Sequence, residues 1–239
     1  MSLIAPMATA ETAVTFRDLH GMAEFSEAEA LQRAVWGAGD VPDPADLMMV
    51  IQAEGGLVGG AFVEGRLMGY VFAFPTATPG VQHSHRLAVR AEARGLGLGL
   101  RLKLYQRDWA LARGIHLTRW TYDPLRLPNA SLNIARLGAS AGDYRVEYYG
   151  AMAGINAGLP SDRLVAEWHF DARPPAPGTP LDIPLPEDLD ALLAQNPPEA
   201  LRLRLALREG LQSAFAQGQR VTGFDKLTRR YLLSPAQSV

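Results

Sequence analysis

HSHRLAVRAEARGLGLG, residues 83–99, sets two histidines, an apolar run and an arginine ahead of glycines at 95, 97 and 99. Residues 81–89 read as a strand, and Leu98, Leu102, Tyr105, Trp109 and Ala112 keep helical spacing over 98–113. The glycines therefore fall where a strand hands over to a helix. Backbone without Cβ atoms lets a ligand come close, and the first turn of a helix offers unpaired amides and the positive end of its dipole. Such a loop suits an anion, diphosphate above all, and Arg94 can add its guanidinium. A glycine-rich turn that binds nothing is the plain alternative, but arginine, glycine spacing and helix start coincide here.

Spacing decides among nucleotide loops. A dinucleotide fingerprint needs G-x-G-x-x-G directly after a strand in a βαβ unit. Here the pattern is G-x-G-x-G, RAEAR intervenes after Val89, and predicted antiparallel hairpins come first. The Gly-Lys-Ser/Thr of a Walker loop is absent. Leu87-Ala88-Val89 followed by Arg94-Gly95-Leu96-Gly97-Leu98-Gly99 instead resembles the GNAT superfamily of N-acetyltransferases. That signature is a strand ending Leu-x-Val, a short loop, then Arg/Gln-x-x-Gly-x-Gly/Ala opening a helix, and the likeness runs from about residue 14 to 170.

The resemblance implies an α/β (α+β) fold, with a mixed, mostly antiparallel central sheet flanked by helices. It implies acetyl-CoA or another acyl-CoA, succinyl-CoA among them, as co-substrate. Amides of 94–99 would take the pyrophosphate, and the main chain around Leu87, Ala88 and Val89 would pair with the pantetheine arm like an added strand. The Leu87 amide would polarise the thioester carbonyl. His83 and His85 share strand parity with each other and with Leu87 and Val89, so all four are expected on one face. An amine attacks only as the free base, and an imidazole with a pKa near ~6.5 can accept its proton. Arylalkylamine N-acetyltransferases are similar here, with paired histidines the same distance before Leu-Ala-Val. His83 is the favoured base and His85 the second; two buried, hydrogen-bonded histidines are the bland reading.

Other positions depart from the pattern. The tyrosine that many such enzymes place four residues before the helix-ending glycine is Ile134 here, counting from Gly138. Asn133 beside it can reach the coenzyme, while Tyr148, with Tyr149 behind it, is the candidate to protonate the departing thiolate from the next strand. Trp120, Tyr122 and Asp123 in WTYDPL are candidates for the acceptor pocket, although an Asp before Pro also makes turns. The polar loop INAGLPSDR (155–163) brings Asn156, Ser161, Asp162 and Arg163 into the acceptor reading. Arg163, Arg119 and Arg86 could meet a carboxylate.

The rest of the chain supports an ordinary globular protein. Of 239 residues, 48% are hydrophobic and 20% charged, with net charge −2, which gives no overall nucleic-acid or membrane footprint. No cysteine is present, excluding disulfides, thiolate-zinc sites and cysteine nucleophiles and pointing to a reducing cytoplasm. No metal cluster or serine elbow competes, and no apolar run approaches the ~20 residues of a membrane span. Residues 1–13 read as a flexible tail, 14–170 as the acyl-CoA-binding catalytic domain, and 171–239 as a proline-rich linker with a small C-terminal α/β appendage. Strands are expected at 14–19, 57–64, 67–74, 116–123, 143–150 and 163–170, with a hairpin turn at Gly65-Arg66. Helices are expected at 22–36, after Pro44, at 131–139 and at 198–218.

These residues point to direct acyl transfer onto the amine of a small molecule, amino acids among the candidates, with edge-paired homodimers expected. Two other readings compete: a non-catalytic acyl-CoA sensor, and an acyltransferase acting on a protein or larger amine that docks on 171–239.

Overall fold

The computed structural model describes residues 13–37, 39–151, 158–171 and 178–236. One sheet of ten strands organises them, in the order β1-β2-β3-β4-β5-β7-β6-β9-β10-β8. β1 (Val14–Asp18), β2 (Leu57–Val63), β3 (Arg66–Pro75) and β4 (Val81–Val89) pair antiparallel in sequence. β5 (Leu117–Tyr122) lies parallel to β4 and antiparallel to β7 (Arg163–His169), which pairs with β6 (Ser140–Arg145). The expected mixed, mostly antiparallel sheet flanked by helices is the observed one.

Helices cover both faces because their apolar positions recur every three to four residues. α1 (Gly21–Trp36) buries Phe25, Ala28 and Leu31, and α2 (Ala45–Ala53) buries Met48. Together they cover Phe62, Tyr70, Phe72 and Ala88 on one face. α3 (Leu98–Leu111) lays Leu98, Leu102, Trp109 and Ala110 against Leu57, Ala61 and Val71 on the other. β2 and β3 are thus buried on both sides, which explains their nearly continuous apolar runs.

Several boundaries differ from the sequence reading. The β2–β3 turn is Glu64-Gly65, not Gly65-Arg66: both residues have positive φ (50° and 79°), and Val63 pairs directly with Arg66. That is the mirror-image turn that fits strand twist. The segment expected as a helix over 131–139 is a short helix, α4 (Leu127–Ala130), running into a π-helical turn over Ser131–Arg136. β6 ends at Arg145, so Tyr148 and Tyr149 occupy a turn rather than a strand.

The C-terminal residues extend the same sheet. After the two-residue β8 (Thr179–Pro180) come α5 (Leu189–Gln195) and α6 (Pro197–Ala216), then β9 (Gln219–Asp225) and β10 (Arg230–Pro235). β9 meets β6 at Ala141 and Val221. Leu207 and Leu211 of α6 share a core with Trp120, Leu164 and Trp168. Two ion pairs cross the same contact. Arg204, fully buried, donates to both carboxylate oxygens of Asp123 at 2.6 and 2.7 Å, and Arg208 holds the buried Asp162 at 2.8 Å. Removing one partner of a buried pair strands the other charge, so Asp123→Ala should lower the unfolding free energy by about 3–5 kcal/mol in urea titrations.

Candidate active site

The site begins where two strands part. β4 and β5 are paired only over Val81–His83 and Leu117–Arg119. Beyond that, β4 stays with β3 and β5 turns to β7, leaving a wedge whose β4 edge has no strand partner. A cavity of about 540 Å³ fills it, lined among others by Ser84, His85, Leu87, Lys103, Trp120 and Asn133. Tyr122, Tyr149, Arg163 and, from the loop after α1, Asp40 and Val41 also reach it.

At the mouth of the wedge, residues 94–99 form the turn anticipated from their glycines. Gly95 and Gly97 have φ of 91° and 65°, and α3 starts at Leu98 behind the left-handed Gly97. A Cβ built on either glycine meets nothing within 4 Å, so the backbone faces open space. The first amides of α3 have no carbonyl one turn behind them. Arg94 and Leu96 are exposed, whereas Leu98 is buried as the first core residue of the helix.

The histidines are arranged differently from the expectation. The β3–β4 register slips between Phe72 and Ala73, whose partners are Arg86 and Ser84, so His85 is an extra, bulged residue. His83 and His85 do share a face, 6.1 Å apart and beside Phe74. The bulge then turns Leu87 and Val89 to the α3 face, where they pack with Val71 and Leu102, so the four residues do not share one side. Arg86 joins the histidine side instead, bonded to Asp40 at 2.6 Å and stacked on Trp36 at 4.7 Å. Its ties fasten the loop after α1, which also gives His85 a carboxylate partner, Asp43 Oδ1 at 3.2 Å from Nε2.

His85 lines the wedge; His83 lines an adjoining groove with Arg119 and Tyr148. Burial, with smaller contributions from His85, Arg119 and Lys103, pushes the His83 pKa down to about 4. Tyr148 is half-exposed; of this pair it is Tyr149 that lines the wedge, sharing a hydrogen bond with Thr121 at 3.0 Å. Arg163 is buried, its guanidinium 5.0 Å over the Tyr149 ring. Ser161 and Asp162 are occupied structurally: Ser161 accepts the Tyr149 amide, and Asp162 accepts from Tyr144 and the Glu147 amide as well as Arg208. Asp123 accepts the Leu125 amide as a turn former while pairing Arg204. Asn156 lies outside the described residues. Asp43, Ser84 and Lys103 went unnoticed in the sequence, since nothing local marks them as cleft residues.

Residues 22–132 match the model of the Acetyltransferase (GNAT) family. No curated protein matches the sequence. Among solved structures, the ribosomal-protein alanine N-acetyltransferase of Escherichia coli is similar at TM-score 0.56 and 16% identity, over 67% of this chain and 96% of that one. An N-acetyltransferase of Staphylococcus aureus gives 0.55 and 13%, over 66% and 99%. The yncA protein of Salmonella typhimurium, solved with its cofactor acetyl-CoA, gives 0.54 and 18%, over 70% and 98%. The family model thus spans residues 22–132 of this chain, and the sheet around that segment has the fold of these solved acetyltransferases. That family is an enzyme class that moves an acyl group from an acyl-CoA to an amine. Among the described residues no helix is long and apolar enough to cross a membrane.

Two measurements probe this geometry. Gly97→Val forces a β-branched residue to positive φ, costing about 1–2 kcal/mol of stability, and should weaken CoA binding about tenfold or more by calorimetric titration. The unfolded histidine takes a proton near 6.5 but folded His83 only near 4, so the unfolded state binds more protons between those values. Wild-type stability should therefore fall from pH 6.5 toward 4 relative to His83→Gln, in paired denaturant titrations.

Proposed function

We propose that this chain transfers an acyl group from acetyl-CoA, or another acyl-CoA such as succinyl-CoA, to the amine of a small molecule, an amino acid being the favoured acceptor. The observation that carries the reading is the wedge between β4 and β5, with the glycine turn at one end and a carboxylate-paired histidine at the other. The residues present fit a coenzyme A: two open glycines before a helix for its diphosphate, and an unpaired strand edge for its arm. When bound, that group supplies an activated thioester.

The protein's own groups divide the remaining work. The amides of Arg94 and Leu96 already donate to the carbonyls of Ala91 and Ala93, so those of Gly95, Gly97, Leu98 and Gly99, with the Arg94 guanidinium, hold the phosphates, and main-chain groups of Leu87 and Val89 align the arm. His85, oriented by Asp43, takes the proton of the acceptor ammonium. This shifts the base from His83, which burial keeps neutral and which faces the adjoining groove. Trp120, Tyr122 and Tyr149 wall the acceptor space, and the Arg163 guanidinium among them favours an acceptor or acyl group bearing a carboxylate. Asn133 closes the coenzyme side.

Thiol release from acetyl-CoA and succinyl-CoA, run against amino acids of both hands, tests the reading. His85→Ala should cut kcat about 10²–10⁴-fold and leave CoA affinity unchanged; Asp43→Asn should cut it less. Full activity in His85→Ala would remove the proposed base. CoA binding without turnover on any amine would favour a sensor.

A further inference from the structure

We propose that Lys103 is a further catalytic residue of this cleft: its ammonium, set at the crotch where β4 and β5 part, meets the charge that gathers on the coenzyme sulfur and gives it a proton. The inference rests on the acyl-CoA reading above.

Position comes first. Lys103 lies one helical turn beyond Gly99, on the same face of α3, and its side chain lines the wedge while almost fully buried. Nζ donates to Ser84 Oγ at 3.1 Å and to Gln106 Oε1 at 2.8 Å, and sits 3.8 Å over the Trp120 ring. Ser84 follows the last β4 residue paired to β5, and Trp120 follows the last β5 residue paired to β4. The amine therefore occupies the apex of the opening.

Its surroundings lack a counter-ion. Among the described residues no carboxylate forms an ion pair with Lys103, and its polar partners are neutral. Of the groups packed nearby, His83 on β4 feels its charge but cannot compensate it; Trp168, from β7, offers only a ring face at 5.9 Å. A cation sealed from water without an anion is costly, and the cost is recovered if an anion arrives with the ligand. Burial also lowers the amine's pKa to about 7, so it can both hold and release a proton near neutrality.

Composition points the same way. Lys103 and Lys226 are the only lysines in the chain, and the other 21 of 23 basic residues are arginines. Arginine stays charged and cannot pass a proton; lysine can. The one buried lysine stands where a transferable proton is needed.

The step balances. As the acceptor nitrogen forms its bond to the acyl carbon, the C–S bond yields its electron pair to sulfur, and Lys103 Nζ gives that sulfur a proton. The nitrogen loses two protons, one to His85 and one by way of solvent to the neutral Lys103, so each turnover from the ammonium releases one proton net.

Because the chain has no cysteine, the thiolate absorbance of a mixture with CoA belongs to CoA alone. The experiment titrates CoA bound to the full chain, following thiolate absorbance in wild type and Lys103→Met after subtracting the protein alone. Bound CoA should show at least about tenfold more thiolate than free CoA at a given pH, one pKa unit, and Lys103→Met should abolish the difference. In unaltered protein carrying isotope-labelled lysine, the two amine signals are read by NMR; the Lys103 signal should titrate near neutrality and shift upward when CoA binds. Unchanged thiol titration in the wild type, equal titration in Lys103→Met, or a Lys103 signal indifferent to CoA would overturn the proposal alone. Failure of CoA to bind at all would overturn the acyl-CoA reading with it.

Discussion

Everything at the site follows from three residue pairs and no more between β4 and β5. A parallel pair that continued to the end of both strands would consume the amides and carbonyls of 84–89 in the sheet. By parting early, each strand satisfies its other edge and leaves this one for an extended guest. Past the open end of β4, α3 starts at Leu98 because Gly97 turns the chain there with a left-handed backbone. Large side chains bound the wedge, Trp120 on one wall, itself packed at right angles on Trp168, and Leu87 and Lys103 on the α3 side.

The bulge at His85 then assigns the two sides of the cleft to different tasks. One extra residue places His85 and Arg86 together on the α1 face, and returns Leu87 and Val89 to the α3 face. Arg86 spends its guanidinium on Asp40, the Val41 carbonyl and Asp43, so the loop after α1 is pinned over the opening. The imidazole beside it gains an orienting carboxylate from that same loop. The His85 imidazole thus sits on one face of the sheet and the buried amine of Lys103 on the other.

Much of this was legible in the sequence. The alternation and turn residues of 57–75 located a buried hairpin, and the Leu-Ala-Val strand with its glycines located the turn that opens α3, because both are local patterns fixed by backbone chemistry. What stayed hidden depends on pairing between distant segments. A register slip leaves no mark in HSHRLAV, so the faces of Leu87 and Val89 came out reversed. Tyr148 and Tyr149 looked like strand residues because aromatic pairs favour sheets, yet Ser161 captures the Tyr149 amide and bends the chain. Lys103 reads as an ordinary charge within a helix; only the packing of α3 under Ser84 reveals that it is sealed. Asp43 sits in a proline-rich loop forty-two positions from the histidine it orients.

The stacking of the Lys103 amine on Trp120 has an optical corollary. An indole's emission responds to a charge held 3.8 Å above its ring and to loss of neighbouring solvent. Trp120 lines the cleft and has Trp168 edge-on to it at 6.4 Å. The molecule thereby carries its own fluorescent gauge of what occupies the wedge, with no dye or fused label required.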